Sequence, residues 1–208
     1  YEINRKQERY RNYEDAVNEF FEFVINPLKE MGHEVNIYIY TYTSDKKDAI
    51  LERYNPKKWE FIDYDEQVLI DGLSVQGHNV QKGLEQLVGE DLDIVIRARY
   101  DQKFLSNPFE VYDWEWDKVN FLWREESYES LPLVNDTFFS FPYHMLDEMK
   151  LALMDAELNP HKGVRIALHN LYQPTIDRVG LENVKLLDGT YMKEAWNKLY
   201  KLTRIDRR

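Results

Sequence analysis

Asp101, Arg97 and Arg99 stand together just past an apolar run, in the segment LDIVIRARYDQKF, Leu92–Phe104. A carboxylate in such a place can hold Mn²⁺ or Mg²⁺, and the metal can bridge phosphate oxygens and neutralise charge on a departing diphosphate. Two guanidinium groups can face phosphate or carboxylate. Ala98 separates them, so on an extended chain Arg97 and Arg99 point to the same side. A buried strand that ends in charge is also how open α/β sheets build sites for anionic ligands. Each residue has an ordinary alternative role: Asp101 as the cap of the next turn, and the arginines as ion-paired residues at a sheet end.

A second acid, Asp136, lies in Asn135-Asp136-Thr137, between Leu131–Val134 and an aromatic run that begins at Phe138. It is a candidate general base for an attacking hydroxyl, a role that requires hydrogen-bond reach. The alternative is that Asp136 or Thr137 caps a helix that follows. Thr41-Tyr42-Thr43 offers hydroxyls and a ring that could hold a nucleobase, or forms a simple strand-end turn. His78, Asn79 and Gln81 open a predicted helix whose free N–H groups could meet phosphate or ribose, or are merely capped and solvated. None of the five histidines forms a tight zinc spacing. His169, after the apolar Val164–Leu168, is a candidate metal or phosphate ligand, or a buried structural histidine. No GxGxxG, GxxxxGK[ST] or GxSxG occurs, so dinucleotide, P-loop and hydrolase-elbow readings lack their motifs.

These residues need elements to hold them. Val17, Phe20, Phe21, Val24 and Leu28 recur at helical spacing, which predicts a helix over 12–31 that Pro27 kinks or ends and Gly32 closes. Val35–Thr43 (VNIYIYTYT) is a predicted strand, Asp45–Arg53 a short helix, and Trp59–Tyr64 a second strand. His78–Val88 reads as a helix, and Gly89-Glu90-Asp91 turns into a strand over Leu92–Arg97. Alternation of helix and strand from 12 to 97 predicts an α/β fold, a mostly parallel central sheet flanked by helices. Such folds open with a strand, and residues 1–11 are too polar for a central one; the first strand is absent or lies before Tyr1. Further on, the sequence predicts a strand near Lys118–Trp123, a helix over His144–Met154 and a helical segment over Val164–Tyr172. Beyond them come two apolar patches, Val184–Leu187 and Trp196–Leu202.

The chain has 208 residues, 43% hydrophobic and 31% charged, the composition of one folded core. A net charge of −11 argues against a broad nucleic-acid footprint and against an anionic membrane surface. With no cysteine, thiolate chemistry, disulfides and Cys-ligated zinc are excluded. No apolar run is long enough to predict a membrane span. The start, YEINRKQERY, has neither Met nor the pattern of a signal peptide, and the expectation is one domain of a longer polypeptide.

Three stretches carry a resemblance: DLDIVIRARYDQKF, NDTFFSFPYHML and NEFFEFVINPLKEMGHEVNIYIYTYTS. Together they resemble the compact GT-A-type glycosyltransferase domains, above all those encoded by large algal DNA viruses and related capsule or surface-glycan transferases. The likeness runs from about Arg11 to His169. It implies a GT-A-like single domain over 1–208, with a nucleotide-binding half (about 1–104) and an acceptor-side half (about 105–208). It implies a nucleoside-diphosphate-sugar donor, Mn²⁺ or Mg²⁺, a glycan acceptor and, for a viral protein, the host cytoplasm. By the same likeness Asp101 is the metal-binding acid and His169 a late metal ligand. Thr41, Tyr42 and Asn79 fall near the nucleotide, Arg97 or Arg99 near the donor phosphate or sugar, and Asp136 where inverting members place the base. Arg9 or Arg11 stands as the remnant of the basic residue that ends the turn after the first strand, with Arg11 assigned to the donor. The chain departs from the family's Asp-x-Asp motif, because position 99 is Arg.

The expected function is transfer of a sugar from a nucleoside diphosphate to a hydroxyl. Two other classes remain: a nucleotidyltransferase or sugar-nucleotide hydrolase, which would cluster several acids around its metals, and a non-catalytic glycan-binding module that uses the many aromatic residues.

Overall fold

The computed structural model describes residues 13–63, 75–99, 102–123, 133–158, 167–188 and 199–202. The first helix, α1 (Tyr13–Phe20), passes through a wider π-helical turn over Phe21–Ile25 into α2 (Asn26–Glu30). Pro27 accounts for the wide turn. It has no N–H to give, and its ring crowds the carbonyl four residues back, at Phe23. The N–H of Asn26 reaches instead to Phe21 O, five residues back. Gly32, with φ at 91°, ends the segment in a conformation that glycine adopts without strain.

Strand β1 (Tyr38–Tyr42), helix α3 (Lys47–Tyr54) and strand β2 (Lys58–Ile62) follow. The strands pair in parallel, Tyr38 opposite Lys58 and Tyr42 opposite Ile62, with α3 as the crossover that a parallel pair needs. Asn55 closes α3 with φ at 43°, a left-handed position that asparagine tolerates. Helix α4 (Val75–Glu85) then leads to β3 (Ile94–Ala98). The alternating elements expected up to Arg97 are therefore present.

Beyond β3 come β4 (Gln102–Phe104), the short helix α5 (Pro108–Val111), β5 (Val119–Phe121), β6 (Phe138–Pro142), α6 (Leu146–Leu158), α7 (Tyr172–Val179), β7 (Val184–Leu186) and β8 (Tyr200–Leu202). Four strands form one sheet in the order β3-β6-β5-β7, while β4 pairs with β8 apart from it. The expectation of a mostly parallel sheet is corrected here. β3 with β6 and β5 with β6 are antiparallel, and only β5 with β7 is parallel. The cause is β6. The run Phe138–Pro142 holds no helix; it is a strand with every residue buried, between β3 and β5. A strand covered on both faces loses the polar alternation that marks a half-exposed one, so an aromatic run gives no period to read. Of the helical segment expected over Val164–Tyr172, residues 164–166 lie outside the described residues. A 3₁₀ stretch covers Ala167–Leu171, and α7 continues from Tyr172 to Val179.

Alternation along β6 divides the core. Phe139 and Phe141 point to one face, against α4, α6 and α7. Phe138 points to the other, with Phe104, Trp123, Val24 and Leu28. A third cluster, Val17, Ile50 and Tyr54, packs on Ile37, Ile39 and Phe61 of the β1–β2 unit. Helices thus flank the sheets on both sides. Among the described residues no helix is long and apolar enough to cross a membrane.

Candidate functional site

The C-terminal ends of β1 and β3 open on one cleft of about 2480 Å³. Thr41, Tyr42, Asn79, Arg97 and Arg99 all line it. Five of the residues singled out from the sequence, distributed over three elements, are therefore brought to one place. Thr41 is buried, and β1 delivers it because a strand rich in β-branched and aromatic residues runs beside β2 and stops at Tyr42. Asp45 and Asp63, just past the ends of β1 and β2, also line the cleft. Sequence reasoning passed over both, since a single acid after a strand looks like any turn residue.

Asn79 reaches the cleft in a different way from the one expected. The helix is already formed at Val75, so Asn79 lies inside α4 and its backbone N–H is not at a helix end. It presents its side chain instead. Its Oδ1 is buried without a hydrogen-bond partner among the described residues. Gln76, one turn earlier on the same face, lines the cleft beside it.

Gln76 was not legible as a site residue, yet it makes the central contact. Its Nε2 donates to Oδ2 of Asp136. Asp136 is 3% exposed, and Arg97 Nη1 donates to its backbone carbonyl. The segment around it is fixed by Asn135, whose Oδ1 accepts from Thr137 N at 3.2 Å, Thr137 Oγ1 at 2.9 Å and Phe138 N at 3.3 Å. That is a side-chain-closed turn entering a strand. The expectation that Asp136 or Thr137 caps a following helix is thereby overturned, because β6 follows. Gln102 Nε2 donates to Thr137 Oγ1 at 3.0 Å, and Gln102 Oε1 accepts from Arg99 N at 2.9 Å. The two residues that flank Tyr100–Asp101 are thus bonded to each other and to the Asp136 segment. Asp101 and Arg11 lie outside the described residues.

His169 completes the cluster. Its Nδ1 lies 3.1 Å from the carbonyl oxygen of Val134, an acceptor only, so Nδ1 carries the proton. Nε2 is left facing Oδ1 of Asp136 at 3.8 Å. An imidazole held from behind by a carbonyl, with its other nitrogen presented to a carboxylate, is the arrangement of a metal-ligating or proton-handling histidine. The 3₁₀ stretch Ala167–Leu171 holds it there, with Val134 N donating to His169 O at 2.9 Å. Among the described residues no group of three or more His, Asp or Glu side chains is placed to hold a metal ion. The imidazole of His169 offers a nitrogen donor, which Mn²⁺ takes more readily than Mg²⁺ does.

The arrangement thus sets a buried carboxylate, fixed by an amide and next to an imidazole, behind Gln76 and Arg97 in the wall of a cleft that Arg99, hydroxyls and the amide of Asn79 also line. Chemically it can take a proton at one end and hold an anion at the other. No protein-family model matches the chain, and no curated protein matches it at a significant level.

Proposed function

We propose that the chain is a glycosyltransferase that moves a sugar from a nucleoside diphosphate to a hydroxyl of a glycan acceptor. The observation that carries the reading is that Arg97 and Gln76, which line the cleft together with Arg99, are both hydrogen-bonded to the buried Asp136 behind them. Thr41, Tyr42 and Asn79 would bind the nucleoside, the ring of Tyr42 offering a stacking face and Asn79 Oδ1 an acceptor for a base or ribose donor. Arg97 and Arg99 would hold the diphosphate and stabilise its departure. Asp136 would take the proton of the acceptor hydroxyl, with Gln76 fixing the orientation of its carboxylate. His169 and Asp101 would hold Mn²⁺, whose contribution when bound is to neutralise the growing charge of the leaving group. A GT-A-type fold belongs to this proposal.

A thermal-shift panel of UDP, GDP and dTDP, each with and without Mn²⁺, tests the binding half. A nucleotide at a hundred times its Kd adds about 2.7 kcal/mol to stability. Product analysis with and without an acceptor alcohol tests the chemistry. Sugar appearing only on the alcohol supports transfer, and release of free sugar at equal rates in both would indicate a hydrolase instead. Stabilisation by a free sugar alone, with no response to any nucleotide, would point to a glycan-binding module.

A further inference from the structure

Away from the cleft, strand β2 has an edge with no strand beside it among the described residues, where it pairs with β1 alone. Thr43 N donates to Ile62 O at 2.8 Å, so Ile62 turns its backbone groups towards β1, and by alternation Glu60 does the same. Trp59 and Phe61 therefore turn theirs outward. Among the described residues neither exchanges a hydrogen bond with any element other than β1. The edge also meets solvent: Lys58, Trp59 and Glu60 are exposed in succession, Trp59 at 47%.

An open edge is a template for a second strand, and lysine on it ordinarily keeps that strand away. Here the lysines are engaged within the chain. Lys57 and Lys58 both end on Glu90, at 2.7 and 2.6 Å, and Lys58 also donates to Gln86 O at 3.0 Å. Lys47 stands over the rings of Trp59 and Phe61, 4.9 and 5.3 Å from their centroids. Glu60 differs from them. It is exposed on the same strand, and among the described residues no cation pairs with it.

We propose that this edge is a dimer interface, and that its occupant is β2 of a second copy of the chain, running antiparallel with Trp59 on the two-fold axis. In this register the two Trp59 residues form a hydrogen-bonded pair, each N–H donating to the other's carbonyl, as their outward backbone groups require. Lys58 and the other copy's Glu60 then form the flanking pairs without hydrogen bonds, where side chains approach most closely. Glu60 thereby gains the cation it lacks, twice over by symmetry. Charge selects the register. An axis at Glu60 would set two carboxylates face to face, an axis at Lys58 two ammonium groups, and an axis at Phe61 would leave Glu60 opposite Ile62. The two Trp59 rings would meet across the axis, an aromatic cross-strand pair, and the strands would form one sheet in the order β1-β2-β2-β1. One short strand makes a small interface, so association belongs at about 10–100 μM.

The test is sedimentation velocity over a concentration series reaching about 500 μM, on the chain and on two charge variants. The chain should show a monomer–dimer equilibrium. Glu60→Lys and Lys58→Glu each place like charges in both flanking pairs, and each should weaken association by about tenfold or more. An equimolar mixture of the two should associate again, because one variant then carries two cations at the paired positions and the other two anions. Glu60→Lys changes an exposed side chain, and in Lys58→Glu the Glu90 carboxylate keeps Lys57, so Tm measured on each confirms the fold. A chain that stays monomeric throughout would overturn the proposal. So would a dimer that Glu60→Lys leaves intact, which would place the contact elsewhere, for instance on the exposed Leu151, Met154 and Leu158 of α6. Failure of the folded variants to associate on mixing would overturn the register. Slow hydrogen exchange at 59–61 in dilute monomer would show the edge covered from within the chain, and would overturn the proposal too. No nucleotide or sugar enters the measurement, so its outcome is independent of the transferase reading.

Discussion

Gly77 of α4 sets how closely that helix approaches α6, and its replacement tests whether the position of Gln76 depends on that approach. A Cβ added at Gly77 would meet Oε1 and Cδ of Glu157 and lie 2.7 Å from its Cγ. Favourable contact between carbons begins near 3.5 Å, so Glu157 or the whole helix must give way by roughly an ångström. Glu157 is 6% exposed and has little room to move. Overpacking of this kind costs about 1–3 kcal/mol, while removing a glycine from a helix returns about 0.5–1 kcal/mol. Gly77→Ala should therefore destabilise by about 1 kcal/mol, about 2–4 °C in Tm for a chain of this size. The decisive measurement is the change of sign. In a Glu157→Ala background the clash is gone, and the same substitution should stabilise by about 0.5–1 kcal/mol. Urea denaturation of the wild type, both single variants and the double variant gives the full cycle. If Gly77→Ala acts with the same sign in both backgrounds, the contact with Glu157 does not limit the helix spacing and the reasoning fails.

Asp136→Asn keeps the shape that Gln76 holds and removes the base. Under the transferase proposal it should lower the rate of sugar transfer by about 10²–10⁴ while nucleotide-induced stabilisation persists. An unchanged rate would remove Asp136 from the chemistry. Lys57, Lys58 and the Tyr38 hydroxyl hold the Glu90 carboxyl down to about 2, from an ordinary 4.5. A depressed carboxyl contributes stability that is whole above its unfolded value and is lost as pH falls through the folded one. Wild-type Tm should then drop steeply from about pH 4.5 towards 2, and Glu90→Gln should flatten that drop; parallel Tm–pH curves would contradict it. Phe138 is fully buried, 5.2 Å from Phe104 ring to ring. Phe138→Ala should cost about 3–5 kcal/mol by urea denaturation, and a loss below 1 kcal/mol, on the order of a surface change, would show that this face of the sheet is not close-packed.

Legibility in the sequence followed the range of the interactions. The helix-strand order from α1 to β3 was readable, because hydrophobic period and the punctuation of Pro27, Gly32 and Gly89 act within a few residues. Thr41, Tyr42, Asn79, Arg97 and Arg99 were selected for the same reason, as polar residues at or near the ends of apolar elements. The direction of the sheet was not readable. It depends on β6, whose five buried residues carry no polar alternation to mark them as a strand.

The chain's own order of residues determined that polar side chains would stand at the ends of β1 and β3, since each strand's local composition sets where it stops. Only the folded arrangement decided what they meet. Gln76 lies 60 residues from Asp136 along the chain, and His169 reaches that carboxylate from a separate 3₁₀ stretch. Contacts over such separations leave no period or spacing in a sequence, because packing of whole elements creates them.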